Sequence, residues 1–313
     1  INETVERMRA ENKTIPSWIS KFIEKGHSNF YKRMEGFNCY WDVNKEDYLP
    51  IPVSKKDLKF SDMQYNGNLI ENHWSASIID LGDGVAGVSF HSVLQAELNP
   101  IDGSILQTLY KAQRWVKDNG YKGLVISGDN TNFCAGANLN MILNPAYRKD
   151  WDELNRTVKT MQDILQSLRY APFPVVAAPF GLVLGGGYET IGACDRIVAA
   201  GESYIGLVEV GVGLIPGAGG NLRMISNLSR KIKSAMPGAF PIIQKAFETI
   251  GFAKVATSAK EAQAIGYLEK DDRIIVNRDH ILSEAKNEVL AMVNNYTVPE
   301  VESFKLPGKS GRL

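Results

Sequence analysis

A surplus of charge of either sign is the first thing this sequence lacks. Its 35 basic and 35 acidic residues cancel, so no bulk field draws the chain to nucleic acid or to an anionic membrane. Long apolar runs are missing as well, and no stretch approaches the length needed to span a bilayer. No basic segment followed by an apolar one opens the chain, which reads as no secretory signal. Cysteine is scarce. Cys39, Cys134 and Cys194 are odd in number and at unrelated spacings, which suits reduced thiols and a cytoplasmic location. Cys134 and Cys194 read as small core residues. The four histidines, His27, His73, His91 and His280, have no partner motif. No Cys/His/Asp spacing calls for a metal, and no G-x-S-x-G supports a serine hydrolase. With 44% hydrophobic residues in 313, the chain has enough for one large domain or two smaller ones.

Glycine, by contrast, is concentrated. Between Ala177 and Gly220 the chain runs AAPFGLVLGGGYETIGACD and then GLVEVGVGLIPGAGG, two glycine clusters and two glutamates in one block. Gly185, Gly186 and Gly187 follow an apolar run from Pro174 to Pro179 and open a segment that reads as a helix, YETIGACDRI. Adjacent glycines let backbone N–H groups approach a ligand with no side chain in the way. A helix beginning there adds the positive end of its dipole. Glu189 falls one turn into that helix, and Glu209 lies in the second glycine-rich stretch. A glutamate on a helix is usually a solvated surface residue. Glu189, however, sits among glycines, Ile191, Ala193 and Cys194, and Glu209 between Leu207–Val208 and VGVGLIP. Carboxyls in such surroundings should have raised pKa values, as a proton donor needs. Oxyanion-binding amides beside two carboxylates suit proton transfer next to a carbonyl. The block reads as an enzyme site.

Around this block, SASIIDLGDGVAGVSF reads as a hairpin with a Gly-Asp-Gly turn. Its Gly82, Gly84 and Gly87 spell G-x-G-x-x-G, but a strand rather than a helix follows, which excludes a dinucleotide fingerprint. SILQTLYKAQRWVKDNG is an amphipathic helix, GLVISG a strand, TVKTMQDILQSLRY a helix and PFPVVAAPF a strand. Repeated units of this kind imply an α/β fold of stacked ββα turns with short parallel strands. After Gly220 the pattern is helical: NLRMISNLSRKI, FPIIQKAFETIG, SAKEAQAIGYL and DHILSEAKNEVLAMVNNY.

Three motifs in order resemble the crotonase (enoyl-CoA hydratase/isomerase) superfamily: GLVISGDNTNFCAGANLNMIL, then GGGYE with a Cys194–Asp195 pair, then Glu209 followed by IPGAGG. The resemblance implies a crotonase (ClpP-like) spiral of ββα units, with a C-terminal helical region that builds trimers. It implies backbone oxyanion donors at Ala137 and Gly186 and catalytic glutamates at Glu189 and Glu209. The neighbouring Ala135, Gly136, Asn138, Leu139, Gly185, Gly187, Pro216 and Gly217 are then expected against the substrate. Asp195 fits a family position but reads as structural. The implied reaction is reversible addition of water across C2=C3 of a trans-2-enoyl-CoA, with Glu189 activating the water and Glu209 protonating the α-carbon. The enzyme needs no cofactor of its own, since the acyl-CoA thioester carries the coenzyme A. A homotrimer or dimer of trimers is expected, with neither nucleic acid nor membrane as partner.

Two features depart from that pattern. HSVLQAELNPIDGS is longer than the family's turn and lacks its basic residue, so the contacts to the CoA phosphates cannot be placed. Acyl-chain length is equally unreadable, because the lining segments 140–165 and 231–250 carry no motif. The chain also opens with INETVERMRAENKTIPSWISKFIEKG and a piece rich in aromatic and turn residues that is too short for its own core. This opening resembles the end of the 3-hydroxyacyl-CoA dehydrogenase part of bifunctional dehydrogenase–hydratases, which would bring NAD only with that missing part. The alternative is a native extension packed on the hydratase. The expected division is 1–70 as tail and linker, 71–230 as catalytic core and 231–313 as helical region. A Δ3-Δ2-enoyl-CoA isomerase, or a non-catalytic trimerising scaffold, is the competing reading. Isomerases typically manage with one of the two glutamates, and a scaffold needs neither.

Overall fold

The computed structural model describes residues 1–304 and Gly308, apart from Glu35, Val53, Lys55, Leu94 and 233–239. The chain divides into two compact units, Ile1–Lys55 and Lys56–Leu313. In the first, helices α1 (Asn2–Ala10) and α2 (Ser17–Glu24) precede an antiparallel sheet of β1 (Tyr31–Met34), β2 (Phe37–Asp42) and β3 (Asp47–Pro50). The Phe22 ring lies 5.1 Å from those of Phe30 and Trp41, and Trp41 meets Tyr48 edge-on at 5.3 Å. Short as it is, this stretch has a nucleus, because each large ring buries far more area than an aliphatic side chain.

The second unit begins with α3 (Phe60–Tyr65) and β4 (Leu69–Asn72), which pairs with β5 (Ala76–Asp80). The division therefore falls at residue 55, upstream of the expected 70. The cause is Phe60, buried so closely on Gly87 that a methyl there would stand 2.5 Å from its ring. From β5 the hairpin turns into β6 (Val85–Phe90). The N-terminus of α4 (Gly103–Asp118) is capped by Asp102, whose carboxylate accepts the Ile105 N–H at 2.9 Å.

From here one plan repeats. A strand, a second short strand and a helix follow in turn: β7 (Gly123–Ser127), β8 (Cys134–Ala135), then α5 (Asn140–Tyr147) and α6 (Trp151–Arg169). The next turn is β9 (Val175–Ala177), β10 (Leu182–Leu184) and α7 (Gly186–Gly192). The next is β11 (Arg196–Ala200), β12 (Tyr204–Gly206) and a 3-10 turn, Glu209–Val212. Helices α8 (Gly220–Lys231) and α9 (Phe240–Gly251), strand β13 (Val255–Ala256), α10 (Ala259–Ile265), β14 (Arg273–Ile275) and α11 (Ile281–Met292) complete the unit. The first strand of each turn joins a seven-stranded sheet of order β14-β11-β9-β7-β6-β5-β4, parallel from β6 to β14. The second joins a four-stranded sheet, β13-β12-β10-β8, parallel from β8 to β12. Every residue of β6, β7 and β9 is buried, as befits strands covered on both faces.

The helix read over YETIGACDRI is shorter than its pattern, and Arg196–Ile197 open a strand. Asp195 ends it: its N–H donates to the Val175 carbonyl at 2.8 Å and its carboxylate accepts the Val175 N–H at 2.9 Å, clamping the chain to β9. Asp195 is thus structural. The C-terminal helices fall where the pattern places them, although 233–239 of the expected 231–250 lining lie outside the described residues. Among the described residues no helix is long and apolar enough to cross a membrane.

Phe60→Ala should lower the stability of the second unit by about 3–5 kcal/mol, the usual range for emptying a buried aromatic site. Denaturant unfolding measures it. A cost below about 1 kcal/mol would mean that α3 is not part of this core.

Candidate active site

The glycine cluster acts through its backbone. Gly185 has φ 52° and ψ −121° and donates its N–H to the Gly206 carbonyl at 2.8 Å, a conformation that strains any L side chain. Gly187 lies against β8, where an added methyl would stand 2.4 Å from the Cys134 carbonyl oxygen. Between them, Gly186 faces the loop after β8: a methyl there would come 3.3 Å from the Ala137 nitrogen. That loop bridges to Ile101, whose N–H donates to Gly136 O at 2.9 Å and whose carbonyl accepts from Asn138 N at 2.8 Å. Because residues 136 and 138 make both bonds, the Ala137 N–H points the opposite way. Among the described residues neither the Ala137 nor the Gly186 N–H has a protein acceptor. Two free donors, Gly186 at the start of α7 and Ala137 in the loop after β8, can cradle an oxyanion.

The carboxylates are held differently. Glu189 is 6% exposed, and its Oε1 accepts the Ala218 N–H at 2.7 Å and the Gly220 N–H at 2.9 Å. Burial raises its pKa, and these amides oppose the shift. Glu209 opens the 3-10 turn half-buried, and neither carboxylate oxygen has a partner. Burial, and then the charge of Glu189, push it up to about 7. One carboxylate is fixed by two donors. The other is free to give and take a proton near neutrality.

Both line a cavity of about 300 Å³ with Ala135, Gly136, Ala137, Leu139, Gly185, Gly186 and Gly217. Three residues expected there lie elsewhere. Asn138 caps Asn140 through its side chain (3.1 Å), Gly187 is spent on the contact with Cys134, and the Pro216 carbonyl accepts from Asn221 Nδ2 at 2.9 Å. The motifs did not reveal Ala218 and Gly220 as partners of Glu189, although the PGAGG run hinted at exposed amides. Nor did they reveal the apolar wall, which includes Ile101, Leu106, Met141, Leu154, Val158, Met161 and Ile215. Tyr267 gave no signal at all. Its hydroxyl accepts the Leu207 N–H at 3.1 Å and donates to the Lys254 carbonyl at 2.7 Å, steadying the approach to Glu209. Larger cavities of about 480 and 620 Å³ contain neither the free amides nor this carboxylate pair. Burial pushes the Cys134 thiol up to about 12, as for an inert core cysteine.

Residues 82–237 match the family model for enoyl-CoA hydratase/isomerase. An enoyl-CoA hydratase from Bacillus anthracis is 24% identical, with a TM-score of 0.56 over 70% of this chain and 76% of that one. An enoyl-CoA hydratase from Thermoplasma volcanium GSS1 is 23% identical, with a TM-score of 0.56 over 71% and 79%. The spiral is therefore the crotonase fold, and the chain belongs to the enoyl-CoA hydratase/isomerase (crotonase) superfamily. A Bacillus subtilis (strain 168) protein described as a "Probable 3-hydroxyacyl-CoA dehydrogenase" is 38% identical over 312 residues, 99% of this chain. A "Putative fatty acid oxidation complex trifunctional enzyme" of Rickettsia prowazekii (strain Madrid E) is 26% identical over 82% of the chain. The chain spans only 38% and 34% of the lengths of these two relatives.

Glu209→Gln should stabilise the protein, and more at pH 8 than at pH 5. With its folded pKa near 7 against an ordinary 4.5, Glu209 binds its proton more tightly when folded, so stability falls as pH rises between those values. Glutamine removes the buried charge that forms above that window. A Tm gain of about 2 °C or more at pH 8, shrinking at pH 5, is expected. An equal change at both pH values would show that Glu209 is not strained by its burial.

Proposed function

We propose that this chain is an enoyl-CoA hydratase, adding water reversibly across C2=C3 of a trans-2-enoyl-CoA to give a 3-hydroxyacyl-CoA. One observation carries the reading: two buried carboxylates, one held by two amides and one unpartnered, share an apolar cavity with two free N–H donors. The thioester carbonyl would accept from Ala137 and Gly186, drawing electron density from C3 and stabilising the enolate-like charge that develops on the oxygen. Glu189, held in place by Ala218 and Gly220, would in its ionised form take a proton from water as its oxygen bonds to C3. Glu209, protonated up to about pH 7, would deliver a proton to C2. Hydration thus consumes the proton on Glu209 and leaves one on Glu189, and exchange with water restores the starting pair. Several parts of the proposal rest on the resemblance and the relatives' names: assembly into trimers through the C-terminal helices, a place in fatty-acid oxidation, a cytoplasmic setting and attachment to an NAD-dependent 3-hydroxyacyl-CoA dehydrogenase.

Loss of the enoyl-thioester absorbance with crotonyl-CoA tests the activity. Glu189→Gln and Glu209→Gln should each lower kcat by at least about a hundredfold, the usual effect of losing a general acid or base. Ala137→Pro deletes an N–H outright and should cost about as much as one oxyanion donor, 10²–10³ in kcat, in protein that retains its circular dichroism. Rates within a few-fold of the parent would remove the residue concerned from the mechanism. Isomerisation of a 3-enoyl-CoA without hydration would replace the hydratase reading with the isomerase one.

The pH dependence has a direction. Hydration needs a proton on Glu209 and dehydration needs the same single proton on Glu189, so kcat/KM in both directions should fall together as pH rises through about 7. A kcat/KM for hydration that stays level as pH rises through that range would show that Glu209 is not the proton carrier at C2.

A further inference from the structure

The acyl cavity does not end in the core. Its chemical side is built by the loop after β8, the start of α7 and the turn at Glu209. The opposite wall comes from α4, α5 and α6. Three side chains of that wall, Leu106, Met141 and Thr157, also line a second cavity of about 620 Å³ in the groove between the same helices. Helical spacing explains the arrangement. On α6, Leu154, Val158 and Met161 face the acyl cavity, Thr160 and Ile164 face the groove, and Thr157 stands between the two faces. The partition is therefore one side chain thick. Leu106 is buried, whereas Met141 and Thr157 are only half-buried. Methionine, unbranched with three rotatable bonds, is the side chain best suited to swing aside.

We propose that the Leu106–Met141–Thr157 partition is an acyl-chain gate, and that the α4–α6 groove receives the distal part of acyl chains too long for the first cavity. The inference rests on the acyl-CoA reading of the site and names the substrate class as long-chain enoyl thioesters. The thioester end is fixed by the Ala137 and Gly186 amides, so the chain can lengthen only toward the helical wall. The groove and the cavity share the partition, and Leu106, Tyr110, Met141 and Ile164 give the groove apolar lining. A chain passing the partition thus exchanges water for apolar contact along its length.

The test compares butyryl-, octanoyl-, dodecanoyl- and hexadecanoyl-CoA binding by calorimetry, which needs no turnover, alongside hydration of the matching enoyl-CoAs. In the parent protein, affinity should keep rising beyond octanoyl, by up to about fourfold for each methylene that leaves water. Thr160→Trp, an exposed position that lines only the groove, should weaken hexadecanoyl-CoA at least about tenfold, equivalent to roughly two buried methylenes. It should leave butyryl-CoA binding and crotonyl-CoA hydration unchanged. Met141→Ala should raise kcat/KM for hexadecenoyl-CoA relative to crotonyl-CoA. An affinity that stops rising at octanoyl in the parent, or a Thr160→Trp loss equal for all lengths, would overturn the gate. If the chain-length pattern holds but no enoyl-CoA is hydrated, the gate stands and the hydratase reading falls.

Discussion

Where α7 begins on β8, the Gly187 backbone stands so close to the Cys134 carbonyl that one added methyl would come within 2.4 Å of it. The site depends on that approach. A side chain at 187 would lift the helix off the strand and part the Gly186 and Ala137 amides, which lie on either side of the contact. The small sheet extends the same constraint. Strands β8, β10 and β12 are parallel neighbours, and the residues just beyond their ends are Ala137, Gly185–Gly186 and Glu209. Three consecutive turns of the spiral thus deliver their loops to one place, as parallel strands do at their carboxyl ends. The functional groups are distant in sequence but adjacent because the fold repeats.

Into this place the fold puts two carboxyls and no cation among the described residues that line the cavity. A buried, unpaired carboxylate is costly, and both oxygens of Glu209 lack partners. The surrounding wall is apolar, and it excludes the water that would keep Glu209 at an ordinary pKa. On the proposed acyl-CoA reading, substrate binding and proton chemistry therefore share one cause. A polar wall would solvate Glu209 and return it toward a permanently ionised carboxylate, useless as a donor near neutrality. The destabilisation is tolerated because a large apolar core from both sheets and their helices surrounds the site.

The ββα order, the hairpin over residues 75–90 and the carboxylate pair were legible in the sequence, because period-two and period-3.6 patterns and glycine clusters are local signals. The end of α7 was not. YETIGACDRI carries a helical pattern, and only the Asp195–Val175 clamp, a contact between different turns, stops it at Gly192. The division at residue 55 was hidden likewise: Phe60 belongs with the second unit because it fits over Gly87, a pairing no spacing rule records. Among the site residues, Gly187 matched the motif for a reason other than substrate contact. Its missing side chain serves packing, whereas that of Gly186 serves the ligand space, and sequence alone gives both the same letter.

Glu189 and Glu209 have the same chemistry, but Glu189 is buried and Glu209 half-buried, and they differ further in their neighbours. Two N–H donors on Glu189 Oε1 favour its charged form. The absence of any donor at Glu209, with the Glu189 charge close by, favours its neutral form. Burial raises the pKa of both, and the amides on Glu189, with none on Glu209, bias a shared proton toward Glu209. The proposed hydration would move protons from water to Glu189 and from Glu209 to carbon, which exchanges the two states. Dehydration would begin from the exchanged arrangement with the same single proton, so the asymmetry does not block reversal. Because the donors to Glu189 come from the backbone of Ala218 and Gly220, the bias is written into the PGAGG turn rather than into any side chain.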